Sequence, residues 1–273
     1  MLLPGQEKLR RSYRELGNRE LGKVDEWMAS NKLTLNYSKT KFMLVHRKNE
    51  QPLLNLYIKN HKIEQVKSIE YLGVRIDEKL NWSEQIKNVE TKLSQACGAI
   101  ARLRHFVDQK TLRTLYYAHA YSHLQYSVLA WGANTKRILN RLNVLHNRLI
   151  RLMCLHGPLH DMNFTNSELY KSMNILKFQD VYKLELAKIM FKAVNNCLPQ
   201  TLNKYFPKKD NRRNLRSLVY DPFRIDRRNT LHYRRWLTTA GVELWNSLSS
   251  DIKKMSFFSF KKAMRKRLIE AYF

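Results

Sequence analysis

Acidic residues are scarce in this chain: 23 Asp and Glu stand against 50 Lys and Arg. They adjoin at only two places, Asp25-Glu26 and Asp77-Glu78. The first lies in a helix-like run from Gly22 to Ser30 and the second follows a strand. Neither is an Asp-Asp pair on a tight strand turn, the arrangement that brings carboxylates onto two metal ions. Cysteine is as sparse. Cys97, Cys154 and Cys197 give an odd count without close spacing, which argues against a disulfide framework and for reduced thiols in a nuclear or cytoplasmic setting. Cys154-x-His156-x3-His160, with Asp161 next, is not a recurrent zinc spacing. His119 and His123 lack the intervening Glu of a metalloprotease helix and read as core or interface histidines. There is no glycine-rich phosphate loop, no Ser-His-Asp arrangement, no repeat and no low-complexity segment. The start, Met1-Leu-Leu-Pro-Gly, has no apolar run of signal-peptide length. The longest stretch without a formal charge, Thr114 to Thr135, holds His119, Ser122, His123, Gln125 and Asn134, which suits a protein core and not a bilayer.

What is abundant is positive charge on a chain able to fold. The 273 residues are 44% hydrophobic, enough for a core, and carry a net charge of +27. Such a surface repels itself unless a polyanion neutralises it, and RNA or DNA is the default partner. An anionic membrane surface or an acidic protein is the alternative. Interleaved Tyr and Trp tilt the balance to nucleic acid, because aromatic rings stack on bases.

The pattern along the chain is α+β, predominantly α. Residues 1–20 are charged and unassigned. Residues 21–82 read as one helix with a small antiparallel sheet. Asn31 stops the helix, Phe42 to Val45 is strand-like, Leu54 to Ile58 and Lys62 to Val66 flank Lys59-Asn60-His61, and Tyr71 to Ile76 is a further strand. Residues 83–156 read as a helical bundle. Ser83 caps a helix with Ile86, Val89, Leu93, Ala96, Cys97, Ile100 and Leu103 on one stripe. Asp108 caps the next, with Leu112, Leu115, Tyr116 and His119 inward. A third begins near Thr135, with Leu139, Leu142, Leu145, Leu149, Leu152 and Met153 on one side and Arg137, Arg141, Arg148 and Arg151 on others. Gly157-Pro158 marks a boundary before a helical, basic region, 157–273. There Ser167 and Asp180 start helices, Val181, Leu184, Ala187, Phe191 and Val194 face inward, and Trp236 and Trp245 pack. Ser256 caps a terminal helix with Phe257, Phe260, Met264 and Leu268 on one face. Residues 203–235 form a basic loop with eleven Lys or Arg against three Asp.

Two blocks carry a resemblance: Trp27 followed by Asn31-Lys-Leu-x-Leu-Asn-x-x-Lys39-Thr-x-x-Met43, and Tyr71-Leu-Gly-Val-x-Ile-Asp-x-x-Leu-x-Trp82. In order and spacing they resemble motifs D and E in the late palm of LINE-type (non-LTR), jockey-like retrotransposon reverse transcriptases. Leu129-Ala-Trp-Gly132, Asn147-Arg-Leu-Ile-Arg151 and Leu244-Trp-Asn-Ser-Leu248 are similar to segments of the thumb and post-thumb of the same family, so the likeness covers roughly residues 20 to 270. It implies that 21–82 is residual palm, 83–156 thumb and 157–273 post-thumb.

The family is an RNA-directed DNA polymerase whose metal-binding Asp-Asp pair precedes the Trp27 block. The expectation is therefore a fragment cut off after its catalytic centre. It would bind nucleic acid without polymerising alone, and magnesium would belong to the intact enzyme. The missing N-terminal polymerase portion is a further expected partner. No catalytic residue is assigned. Lys39 matches the motif D lysine, implied to protonate the pyrophosphate leaving group in an intact enzyme, and a charged strand-edge lysine is the plainer reading. Tyr71, Leu72, Gly73 and Val74 match the primer grip, where glycine lets a nucleic-acid backbone approach. Arg137, Arg141, Arg148, Arg212, Arg213, Arg227 and Arg228 are expected to contact phosphates. A domesticated nucleic-acid-binding or structural interaction module remains the alternative.

Overall fold

The computed structural model describes residues 4–46, 53–154, 164–206, 222–224 and 237–272. It divides into two compact units, Met1–Gln85 and Ile86–Phe273.

The first unit begins with α1, Pro4–Ser30, a helix of 27 residues. Of the span left unassigned as 1–20, residues 4–20 thus belong to the helix expected only from Gly22. Pro4 stands at the first helical position, where its missing N–H costs nothing, and Arg11–Glu15 and Glu20–Lys23 pairs support the exposed turns. From Arg11 onward, Gly17, Asn18, Leu21, Gly22, Asp25 and Met28 are its half-buried residues. They recur at helical spacing because they share the face turned to the sheet. As expected, the helix stops at Asn31, whose side-chain amide donates to the Trp27 carbonyl at 2.8 Å.

Three short strands follow: β1 (Lys41–Phe42), β2 (Leu56–Ile58) and β3 (His61–Gln65), in the order β1-β3-β2. β2 and β3 form the expected antiparallel hairpin, turning at Lys59-Asn60, and β1 pairs with β3 in parallel. Leu54, Leu56 and Ile58 are buried while Asn55 and Tyr57 are exposed, the two-residue period of a one-faced strand. α1 lies on β2. Asn18 Oδ1 accepts the Tyr57 N–H at 2.9 Å, and a Cβ at Gly17 would stand 2.9 Å from Leu56 Cδ2.

The next pair corrects an expectation. Tyr71 to Ile76 is not one strand but the corner of a hairpin, β4 (Ser68–Tyr71) against β5 (Val74–Asp77). Leu72 and Gly73 turn it with φ of 48° and 74°, the doubly positive geometry that matches strand twist in a two-residue loop. The unit therefore holds one mixed sheet and one separate antiparallel pair.

After β5 the chain is held by a buried carboxylate. Asp77 accepts the backbone N–H groups of Lys79 and Asn81, each at 3.1 Å, and of Trp82 at 2.7 Å. Ser83 is the first residue of α2 (Ser83–Leu103) and not its cap, since the Asn81 side chain accepts the Ser83 N–H at 2.9 Å.

In the second unit the stripe expected on α2 is buried from Ile86 to Ile100, and only Leu103 is exposed. Asp108 caps α3 (Gln109–Tyr116) by accepting the Thr111 N–H at 2.9 Å. A π-helical turn, Tyr117–Tyr121, joins α3 to α4 (Ser122–Gln125). It adds one residue to the turn, so Ala120 and Leu124 are buried where His119 was expected, and His119 is exposed. α5 (Val128–Trp131) and α6 (Lys136–Cys154) follow. On α6 the buried row includes His146, which sequence periodicity passes over.

The helix expected to start at Ser167 is α7 (Asn166–Ser172), one residue earlier, capped by Thr165 with Glu168 closing a capping box. α8 (Phe178–Val194) starts two residues before Asp180. It is apolar on nearly every side because it is the central helix. It packs on α4, α5, α10 (Leu237–Asn246) and α12 (Phe257–Glu270). α9 (Gln200–Asn203) and α11 (Ser250–Lys253) are single turns. Trp131 stacks on Phe178 with ring centroids 5.4 Å apart, and Phe191, Trp245 and Phe260 form a second aromatic cluster. Ser256 caps α12 as expected, though Phe257 and Phe258 are exposed. Residues on either side of the expected boundary at Gly157-Pro158 meet inside this unit. Tyr170 donates to Asn147 at 3.1 Å and Arg265 to the Tyr117 hydroxyl at 2.8 Å. Gly157, Pro158 and Trp236 lie outside the described residues.

The α+β, predominantly helical class holds throughout.

Candidate nucleic-acid interface

The second unit carries a basic row on α6. Arg137, Arg141, Val144, Arg148 and Arg151 are all exposed. At 100° per residue they fall within roughly 80° of arc, and at 1.5 Å per residue the row spans about 21 Å. Sequence reading placed these arginines merely off the apolar stripe. Turning the helix residue by residue would have shown that they share one line, opposite Leu142 and Leu149.

The row is only lightly neutralised. Arg141 Nε lies 3.7 Å from Glu90 of α2, with the arginine largely in solvent, and such a pair contributes little. Arg151 donates to the Asn166 side chain at 2.9 Å. Among the described residues no carboxylate pairs with Arg137 or Arg148. A shallow groove lined by Lys87, Glu90, Thr91, Ser94, Gln95 and Arg141 runs between α2 and α6. A second hollow, lined by Val144, Asn147, Arg148, Arg151, Leu152 and Asn166, lies on the α7 side. The Cys97 thiol, pushed up by burial and pulled back by the nearby Arg148 charge, faces into this helix pair and donates to the Leu145 carbonyl at 3.6 Å. It is a packing residue.

The hairpin corner of the first unit presents Tyr71 and Leu72 outward, 63% and 74% exposed, while Val74 is buried. Val74, expected beside them at the grip, turns its side chain into the core and anchors the corner. Gly73 serves the turn through its positive φ.

Lys39 is exposed on the turn after Asn36, whose side-chain oxygen accepts the Lys39 N–H at 3.1 Å. Two carboxylates of this unit that are largely shielded from solvent, Asp25 and Asp77, are engaged by other groups. Asp25 is bound by Lys59 at 2.8 Å and by the Tyr37 hydroxyl at 3.2 Å, and these bonds hold its carboxyl below the usual range. Asp77 spends its oxygens on three backbone donors. Glu78 faces His46 at 3.7 Å. Among the described residues no three His, Cys, Asp or Glu side chains cluster to hold a metal.

Cys154 is buried and its thiol is pushed up to about 11 by burial. His156, His160 and Asp161 lie outside the described residues. His123 is half-buried, its pKa lowered by burial and then by Lys92. Arg212, Arg213, Arg227 and Arg228 also lie outside the described residues. Of the basic loop, Phe206 and Phe223 pack together in the core with ring centroids 5.5 Å apart.

No helix among the described residues is long and apolar enough to cross a membrane. No family model, curated protein or solved structure matches the chain.

Proposed function

We propose that this chain binds the phosphate backbone of RNA or DNA through the α6 arginine row, as the late palm, thumb and post-thumb portion of a non-LTR reverse transcriptase. The observation that carries the reading is the alignment of Arg137, Arg141, Arg148 and Arg151 on one exposed face of a chain with net charge +27. Arginine forks on a straight helix offer phosphates repeated, sequence-blind contacts, and each neutralised phosphate releases condensed counterions. The family assignment itself rests on the motif D-like and motif E-like blocks.

The test is duplex binding across a salt series. If about six phosphates are neutralised, log K falls against log salt with a slope near −5. Replacing Arg137 and Arg148 by Ala lowers affinity at low salt and flattens the slope by about 2. Binding that ignores salt, or no binding at low salt, removes the proposal. Primer extension on an RNA template by the purified protein with magnesium would remove its second half.

A further inference from the structure

The turn between α2 and α3 carries the most exposed large apolar side chain among the described residues, Phe106, at 84%. The turn is well fixed. Arg104 N–H bonds the Ile100 carbonyl and Phe106 N–H the Leu103 carbonyl, both at 2.9 Å. Arg104 Nε also bonds His105 Nε2 at 3.1 Å. The ring is thus held in solvent by an ordered backbone.

Its neighbours are cationic. Arg102, Arg104 and Lys110 stand within four residues on either side. The one carboxylate in the turn, Asp108, is committed to the α3 cap, and its hydrogen bonds from Thr111 hold its pKa low. A protein-docking hot spot would place an apolar anchor in a rim of mixed charge. A ring in a stretch where Arg102, Arg104 and Lys110 outnumber the one carboxylate, itself engaged in a cap, matches the faces and phosphates of a single strand.

We infer that Phe106 is a stacking platform for an unpaired base, with Arg102, Arg104 and Lys110 holding the adjoining phosphates. This rests on the nucleic-acid reading above and deepens it, because it sets single-stranded segments apart from duplex. Phenylalanine has no polar atom to read a base edge, so the platform takes any base. Bases inside a duplex are already stacked on each other and do not offer a face.

The test compares a 20-nucleotide single strand, a blunt 20-base-pair duplex and the same duplex with a five-nucleotide overhang, with 2-aminopurine in the unpaired part. Wild-type protein quenches or shifts the 2-aminopurine fluorescence. Phe106→Ala loses that signal and binds the single strand and the overhang roughly tenfold more weakly, the effect of removing one stacked base. Its affinity for blunt duplex stays within twofold. Phe106→Trp retains both signals. Phe106→Lys, which adds charge but no ring, still shows a lower single-strand to duplex ratio than wild type. Unchanged single-strand binding by Phe106→Ala overturns the platform while leaving the arginine row standing, as does an equal loss on blunt duplex. Absence of binding to all three by wild-type protein at low salt overturns both.

Discussion

His146 sits at 0% exposure in the middle of the second unit. The Tyr116 hydroxyl lies 3.0 Å from its Nε2, and the rings of Tyr116 and Tyr170 flank it. No described group bonds its Nδ1. Burial without a carboxylate partner pushes its pKa down to about 3. The unfolded chain takes up a proton near the ordinary histidine value of about 6.5, whereas the fold refuses it until about 3. The stability associated with neutral His146 is complete above about pH 6.5 and drains away as pH falls, by about 1.4 kcal/mol per unit. Between pH 8 and pH 5 the loss is about 2 kcal/mol, a sizeable share of a typical domain's stability. The carboxylates with lowered pKa, Asp25, Asp108 and Glu168 among them, add to acid unfolding only at lower pH. Half-buried His123 acts with the same sign. Urea unfolding followed by the fluorescence of buried Trp131 and Trp245, at pH 8, 6.5 and 5, measures the effect. His146→Gln keeps a partner for Tyr116 and removes the titration, so its stability changes much less over this window. A wild-type change below about 0.5 kcal/mol, or an undiminished change in His146→Gln, refutes the assignment.

Three further outcomes are expected. Asp77→Ala strands three backbone N–H groups and lowers the stability of the first unit by about 2–3 kcal/mol, measurable as faster amide exchange at Lys79, Asn81 and Trp82. Gly73→Ala forces a side chain onto a φ of 74° and costs about 1 kcal/mol, while Leu72→Asn relaxes the same corner and stabilises it. Melting temperatures that fall in the order Leu72→Asn, wild type, Gly73→Ala check this. Tyr272→Phe removes the hydroxyl that donates to Asp180 and accepts the Lys177 N–H, both at 2.8 Å, at a cost of about 1–3 kcal/mol in denaturant titration.

The long amphipathic helices were legible because their apolar residues recur in step: α2, α3 and α6 begin and bury very nearly where their caps and stripes say. Three features were not. α1 has charged side chains around most of its surface and only a shallow seat on β2, so periodicity shows its end and not its length. The corner at Leu72-Gly73 lacks the Asn-Gly pair that usually announces such a turn, and Tyr71-Leu-Gly-Val reads as strand because three of its four residues favour strands. The inward row beyond Tyr116 slips by one residue, since no propensity marks where a helix widens into a π turn. At the candidate site the arginines were legible as residue types and their common line was not, because it emerges only when the helix is turned as a solid body. Phe106 gave no sign in the sequence, where an exposed aromatic and a core aromatic look alike.

The widened turn at Tyr117–Tyr121 acts as a phase shifter. Shortening this stretch by one residue would restore a plain helix in which Ala120 and Leu124 follow Tyr116 at steps of three and four residues, still on one face, whereas the same deletion in the regular turns of α3 would rotate everything beyond it by about 100°. Length is thus least constrained where the helix is widest: the turn between Tyr117 and Tyr121 can give up its extra residue with the two halves of the core still in step, a tolerance the regular turns on either side do not share.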